Sequence, residues 1–193
     1  MSVSEIKEKI KNVFGKQLAK IKDSHLKEKV VEVWAETADK AGWKSAELEN
    51  IPFTLLTNTR GINLIEHTIA VTEGALGLAA SMLENYRSMP HEINLDWLVA
   101  GGLLHDVGKL LEIEKTKDGK YQKSHQGKCA RHPISGAIAV AKAGLPDEII
   151  NIVACHAKEG DGRPQRVETV LIHQADFAVF DPLVMLEKGL LIT

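Results

Sequence analysis

Several features that mark particular protein classes are scarce in this sequence of 193 residues. It has only two cysteines, Cys129 and Cys155, which are too few for a disulfide framework and form no Cys-x-x-Cys pair. Aromatic residues make up 5% of the chain, and few segments alternate apolar with polar residues, so the strand signal is weak. Because 24 lysines and arginines face 26 aspartates and glutamates, there is no strong nucleic-acid-binding signal.

Long uncharged apolar runs are also missing from the sequence. No stretch approaches the length of uncharged residues that spans a bilayer. The charged start MSVSEIKEKIKNVF lacks the apolar core of a signal peptide. We therefore expect a cytoplasmic protein that does not bind a membrane. Hydrophobic residues at 44% and charged residues at 26% are ordinary for a globular chain with a sizeable core.

Helical periodicity dominates the chain and predicts an all-α fold. Two amphipathic helices are expected at residues 4–21 and 24–41, followed by an irregular segment at 42–60. The polar residues 114–128 predict a loop or small hairpin around Asp118-Gly119. The remaining expected helices are 62–86, 95–113, one between Pro133 and Gly144, one from Pro146 that ends before Gly160, 167–180, and a short helix beyond Pro182.

Six polar residues fall on or beside the buried faces of the predicted helices. They are His67, His105, Asp106, His132, His156 and Asp176. A lone histidine on an apolar face is more often a satisfied core residue than a ligand. A buried ionised carboxylate, however, is costly unless it is paired or binds a metal. Six separate partners would be needed for six such groups, whereas one or two metal ions would satisfy all of them.

These residues carry a resemblance to a known family. The order His, His-Asp, His, His and Asp resembles the HD-domain superfamily of metal-dependent phosphohydrolases. The His-Asp-Val-Gly-Lys segment at 105–109 resembles the central motif of that family closely. The resemblance covers residues 60–181 and implies an HD-domain helical bundle at 60–193, preceded by an N-terminal helical extension at 1–59. That extension can cap the site, form a homodimer interface or extend the core.

The resemblance also implies how two divalent metal ions are held. The ligands of one metal would be His67, His105 and Asp176, those of the other would be His132 and His156, and Asp106 would bridge the two. Mixed histidine and carboxylate ligation favours iron, manganese or another first-row metal over magnesium.

Basic residues near the ligands indicate a small anionic substrate that contains phosphate. Lys109, four residues after His105, should lie on the same helix face, and we interpret it with Asp106 as catalytic. Singly, each basic residue is more often a solvated surface side chain. The candidate substrate-binding residues are Arg60, Lys109, Arg131, Lys158 and Arg163.

The implied reaction is hydrolysis of a small phosphate ester or nucleotide by a hydroxide on the metals. The same six ligands occur in the dinuclear-iron oxygenases of this superfamily, such as those resembling myo-inositol oxygenase, so the ligands leave both reactions open. A non-catalytic regulatory module is a third alternative, which the complete ligand set disfavours. Residues 156–164 also resemble the HD domain of ribonuclease Y, although the chain shows no companion RNA-binding module.

Overall fold

The computed structural model describes residues 3–192, and helices account for most of that range. The helices are α1 (Val3–Val13), α2 (Gly15–Leu18), α3 (Ser24–Lys40), α4 (Leu64–Asn85), α5 (Leu95–Leu104), α6 (Lys109–Glu112), α7 (His125–Cys129), α8 (His132–Lys142), α9 (Asp147–Cys155) and α10 (Val167–Glu187). Short 3-10 helices lie at Ser45–Asn50 and Lys158–Gly160, and two strands, β1 (Ile113–Lys115) and β2 (Tyr121–Lys123), pair antiparallel. The predicted all-α class is therefore confirmed.

The core is built around three helices that pack against one another, α4, α5 and α10. α9 contacts α5 and α10, α8 packs against α9, and α3 packs against α5 and α1. The indole of Trp34 in α3 is fully buried and donates a hydrogen bond to the Leu103 carbonyl at 2.7 Å. The N-terminal helices thus share the core of the rest of the chain. The division at residue 60 stays a prediction.

Two adjacent glycines let the helices around α5 approach closely, as the sequence predicts. A Cβ atom at Gly101 would lie 2.6 Å from the side chain of Ile152 in α9. A Cβ atom at Gly102 would lie 2.8 Å from the hydroxyl of Thr72 in α4. The cost of two glycines in a helix, about 1 kcal/mol each relative to alanine, is therefore offset by tight packing on both sides.

The prediction of one continuous helix at 95–113 is wrong, because α5 ends at Leu104 and α6 begins at Lys109. Between them the chain tightens, with hydrogen bonds from Val107 N to the Leu104 carbonyl (3.0 Å) and from Lys109 N to the Asp106 carbonyl (2.9 Å). Side chains three residues apart eclipse one another in such a tightened turn. Lys109 therefore faces Asp106 and not, as expected, the side of His105.

Other predicted boundaries also differ from the structure. The range 4–21 is interrupted at Phe14, whose backbone leaves the helical conformation while its buried ring packs edge-on against Trp34. The predicted break before Pro182 is wrong, since α10 continues through this proline to Glu187. Because Pro182 has no backbone N–H, the carbonyl of Ala178 receives no hydrogen bond from it. Ala178 is exposed, so this carbonyl can bind water instead.

The second half of α4 departs from expectation as well. We expected a largely buried helix, but Leu78 and Leu83 are 42% and 46% exposed. As expected, the sequence has no uncharged stretch of membrane-spanning length, and Glu168, Asp176 and Asp181 interrupt α10. By length and composition alone, however, α10 is long and apolar enough to cross a membrane. α10 nevertheless packs against α4, α5 and α9 and carries Asp176 near its middle, as a core helix can.

The hairpin expected around Asp118-Gly119 is present. Strand β1 pairs with β2 in a register that sets Ile113 opposite Lys123, and Gly119 adopts a positive φ of 84° in the turn. Residues of the same predicted loop also form α7, which begins at the Ser124 N-cap. The hairpin and α7 fill the chain between α6 and α8 and so bring Glu112 beside His132, 20 residues away in sequence.

Gly108 offers a test of this packing. A Cβ atom there would lie 2.1 Å from the carbonyl oxygen of His132 and 2.7 Å from the backbone nitrogen of Gly136. Because backbone atoms cannot move aside cheaply, we expect Gly108→Ala to lower the free energy of unfolding by about 3 kcal/mol, the upper end for overpacking. Denaturant unfolding of the metal-free protein measures this change.

Gly77 provides the matched control. It lies in α4, and a Cβ atom there would meet nothing within 4 Å. Gly77→Ala should therefore raise stability by about 0.5–1 kcal/mol through helix propensity. Equal stability of the two variants would contradict the close approach of Gly108 to α8.

Candidate metal centre

The Asp106 carboxylate lies at the middle of the candidate site, in the turn between α5 and α6. It is fully buried. One oxygen, Oδ2, lies 3.2 Å from Nε2 of His67 and 3.4 Å from Nε2 of His105. The other oxygen, Oδ1, lies 3.2 Å from Nε2 of His132 and 3.6 Å from Nε2 of His156. Each carboxylate oxygen therefore faces its own pair of histidines.

The five side chains come from four parts of the fold. His67 is on α4, the adjacent His105 and Asp106 follow α5, His132 begins α8, and His156 follows α9. α10 adds Asp176, whose Oδ1 lies 3.1 Å from Nε2 of His67. The structure thus brings together all six residues that the sequence placed on buried faces. Two groups of them are spaced to hold a metal ion: His67, His105 and Asp106, and Asp106, His132 and His156.

Hydrogen bonds at Nδ1 fix which nitrogen of three rings faces the site. Nδ1 of His105 lies 2.6 Å from the Gly102 carbonyl, and Nδ1 of His156 lies 2.9 Å from the Val153 carbonyl. A carbonyl oxygen only accepts hydrogen bonds, so each Nδ1 carries the proton. This arrangement turns Nε2 toward the site, and a histidine binds a metal through the lone pair of such a nitrogen.

The ring of His132 is oriented in the same way, but its Nδ1 partner is a side chain. Its Nδ1 lies 3.1 Å from Oε2 of Glu112, a carboxylate that likewise only accepts. Burial lowers the pKa of His132 to about 4 despite this carboxylate, so the ring is neutral at physiological pH. Its Nε2 lone pair therefore faces Oδ1 of Asp106. Lone pairs that face each other across a buried gap repel unless a cation lies between them.

The chemistry of these donors fits a metal. Among residues 3–192, four buried atoms of the site have no hydrogen-bond partner: Nε2 of His67, Nε2 of His105, Oδ1 of Asp106 and Nε2 of His156. Buried polar atoms are normally satisfied, and leaving four together would be expensive. Divalent metal ions would satisfy these nitrogen and oxygen donors together.

The two carboxylates of the site are held ionised. Burial alone would raise the pKa of Asp106, but the Lys109 ammonium and the His105 ring outweigh burial and hold the pKa well below its usual value. Nζ of Lys109 lies 2.5 Å from Oδ2 of Asp106. Burial also opposes ionisation of Asp176, but the adjacent His67 ring, whose Nε2 lies 3.1 Å from Oδ1, lowers its pKa further than burial raises it. Both carboxylates thus remain available as anionic ligands near neutral pH.

A cavity of about 580 Å³ opens beside the cluster. One part of its wall carries His132, Asp176 and basic side chains, and another part is apolar. Of the predicted substrate-binding residues, Lys109, Arg131 and Lys158 line this cavity. Arg60 and Arg163 are exposed outside its lining. The apolar lining residues are Phe53, Leu55, Leu56, Ile113, Ala157, Phe177 and Phe180.

Sequence reasoning missed three residues that contact the site. The ring of Phe53 stacks on the His67 ring with centroids 4.3 Å apart, although Phe53 belongs to the segment predicted to be irregular. Glu112 accepts hydrogen bonds from His132, and Lys123 pairs with Glu112 at 3.3 Å. A large aromatic residue in a segment predicted to be irregular was the available signal for Phe53. No spacing in the sequence indicates the contacts of Glu112 with His132 and Lys123, because these contacts depend on the hairpin that follows Glu112.

Comparison with known proteins identifies the family. The sequence profile of the HD domain matches residues 64–177, more than half of the chain, and the chain therefore belongs to the HD domain family. The resemblance inferred from the His-Asp-Val-Gly-Lys segment is confirmed. No solved structure matches the chain.

Several curated proteins also match part of the chain. A dihydroneopterin 2',3'-cyclic phosphate phosphodiesterase of Methanocaldococcus jannaschii is 37% identical over 117 residues, which is 60% of this chain and 45% of that protein. Ribonuclease Y of Thermosipho melanesiensis is 33% identical over 116 residues, 60% of this chain and 18% of the ribonuclease. The chain thus spans less than half the length of the relatives it matches.

The geometry predicts that metal binding stabilises the fold. A ligand that binds only the folded state at 100 times its dissociation constant adds about 2.7 kcal/mol, a rise in Tm of roughly 5–11 °C for a domain of this size. We expect Mn²⁺ to produce such a rise in the wild-type protein, measured by calorimetry.

Asp106→Ala should remove this response, because both groups of ligands share the Asp106 carboxylate. Asp181→Ala is the control, since Asp181 is exposed on the same helix, five residues beyond Asp176. A full Mn²⁺ response in Asp106→Ala would show that the metal binds elsewhere.

Proposed function

We propose that this HD-domain chain is a metal-dependent phosphohydrolase that cleaves a small phosphate ester or nucleotide at a two-metal site. The proposal rests on the geometry around the Asp106 carboxylate. Each of its two oxygens faces a separate pair of histidine nitrogens at 3.2–3.6 Å. A single ion at either pair would leave the two Nε2 atoms of the other pair facing a carboxylate oxygen with no metal ion between them. The arrangement therefore favours two ions that share Asp106.

In this proposal each metal has its own ligands. His67, His105 and Asp176 would hold one ion, His132 and His156 would hold the other, and Asp106 would be a ligand of both. Iron and manganese suit this mixture of nitrogen and oxygen donors. When bound, two such ions acidify water and stabilise charge on phosphoryl oxygens.

The protein residues supply position and charge. Lys109 reaches the cluster from the cavity side, with its ammonium 2.5 Å from Asp106 and 5.5 Å above the centroid of the Phe53 ring. It is placed to neutralise charge that develops on a phosphate beside Asp106. Arg131 and Lys158 line the same cavity and would hold further phosphate oxygens. Arg60 and Arg163 would contact only a substrate that extends beyond the cavity.

The cavity supports a substrate larger than inorganic phosphate. A volume of about 580 Å³ lies within the range of small-molecule sites. The apolar wall with Phe177 and Phe180 offers a surface for the organic part of an ester. The relatives, a cyclic phosphate phosphodiesterase and a ribonuclease, favour phosphate ester hydrolysis over the oxygenase alternative. Both cysteines are free thiols, as in a cytoplasmic protein, the location we propose.

The reaction class can be tested with protein that is purified anaerobically and loaded with Mn²⁺ or Fe²⁺. We expect phosphate ester hydrolysis without oxygen and with either metal, measured against a panel of phosphomonoesters, cyclic phosphates and nucleotides. His105→Ala combined with Asp106→Ala should abolish both metal binding and hydrolysis, because Asp106 belongs to both groups of ligands and His105 to one of them.

Other outcomes would contradict the proposal in distinct ways. Oxygen consumption that requires iron would identify an oxygenase. Full metal occupancy of the double variant, measured by elemental analysis, would rule out the proposed site.

Lys109 is open to a separate kinetic test. We expect Lys109→Met to lower kcat about 100-fold, the effect of removing one group that stabilises charge in a transition state. Lys142→Met, an exposed change in the last turn of α8, should leave kcat unchanged. A Lys109→Met enzyme that changes only in KM would assign this ammonium to binding alone.

A further inference from the structure

Glu112 makes an unusual set of contacts for a residue outside the metal cluster. Its Oε2 accepts a hydrogen bond from the backbone N–H of His132 at 2.6 Å and another from Nδ1 of the same residue at 3.1 Å. Its second oxygen, Oε1, pairs with the ammonium of Lys123 at 3.3 Å. One carboxylate thus holds both the start of α8 and the ring of His132.

The position of Glu112 is itself set by the hairpin and α7. The backbone N–H of Ser124 donates to the Glu112 carbonyl at 2.8 Å. Gly127 of α7 approaches so closely that a Cβ atom there would lie 2.5 Å from this carbonyl oxygen and 2.8 Å from the Glu112 Cγ. Lys123 is the last residue of β2. The whole insertion between α6 and α8 therefore fixes the Glu112 side chain.

This support distinguishes His132 from two other histidines of the cluster. His105 and His156 each donate from Nδ1 to a backbone carbonyl three residues earlier, at Gly102 and Val153. Their orientation follows from the local backbone. The ring of His132 depends on a side chain 20 residues away in sequence. A charged acceptor at Nδ1 also makes the ring a stronger donor to a metal at Nε2.

We propose that Glu112 is a positioning residue that orients His132 and so sets the metal affinity of the group formed with Asp106 and His156. The inference rests on the proposed two-metal function. Loss of an outer carboxylate of this kind costs about 10- to 100-fold in metal affinity. The other group, with His67 and His105, has no contact with Glu112 among the contacts of the described residues and should keep its affinity.

The test is titration of metal-free protein with Mn²⁺ alone, measured by equilibrium dialysis. We expect two bound ions in the wild-type protein. In Glu112→Ala, one of the two affinities should fall about 10- to 100-fold while the other stays unchanged. Glu112→Gln keeps the shape and an acceptor for the backbone N–H of His132. It should fold even where Glu112→Ala does not, and it should also weaken one site because a neutral amide is a poorer acceptor.

A double-mutant cycle with His132→Ala separates orientation from a general structural effect. If Glu112 acts through His132, the Glu112 substitutions should lower Mn²⁺ affinity no further when the His132 ring has already been removed. Glu114→Gln is the matched control, because Glu114 is an exposed carboxylate on the same hairpin and accepts a hydrogen bond from Gln122 at 2.7 Å, away from the cluster. It should leave both affinities unchanged.

Each outcome decides a specific point. Wild-type protein that binds a single Mn²⁺ would overturn the two-metal function and this inference with it. Two wild-type ions with unchanged affinity in Glu112→Gln would overturn the inference alone. An equal loss in the wild-type and His132→Ala backgrounds would do the same, since Glu112 would then act independently of the ring.

Discussion

The buried Asp106 carboxylate is the constraint on which the rest of the site depends. An ionised carboxylate removed completely from water is costly unless charges and donors compensate it. Here the Lys109 ammonium compensates the negative charge at one oxygen of Asp106. The four histidines and the carboxylate also define two positions where metal cations would compensate it further. Four parts of the fold must therefore converge on one side chain. The close packing of α5 against α4 and α9 through Gly101 and Gly102 makes this convergence possible.

The turn that carries Asp106 also explains the role of Lys109. In a continuous helix, Lys109 would lie over His105, the pairing that helical spacing predicts. The tightened turn moves Lys109 over Asp106 instead, with its ammonium between the carboxylate and the cavity. The same turn brings Gly108 against the first residues of α8, where His132 stands. A local change in backbone hydrogen bonding thus places Lys109 beside the Asp106 carboxylate and also brings α8, with His132, close to it.

How far the sequence predicts this protein depends on how local each feature is. The six site residues were found because each lies on or beside an apolar face of a predicted helix, a pattern within one segment. The family follows from the His-Asp-Val-Gly-Lys segment. The break after Leu104 was missed because apolar residues continue at helical spacing on both sides of it, and glycine is the only stop signal nearby. The contacts of Phe53 with His67 and of Glu112 with His132 join distant segments, and such pairings depend on tertiary packing that periodicity does not encode.

The charges around the cavity connect metal binding with substrate binding. The ionised acids near the cluster and its rim are balanced by an equal number of bases: Asp106, Asp176, Glu112 and Glu159 face Lys109, Lys123, Arg131 and Lys158. Several of these bases are already paired, as Arg131 is with Glu159 at 3.1 Å. The protein alone therefore offers an anion little net attraction. Two divalent cations would make the site strongly positive, so the affinity for a phosphate ester should depend on the metals even before any bond is broken.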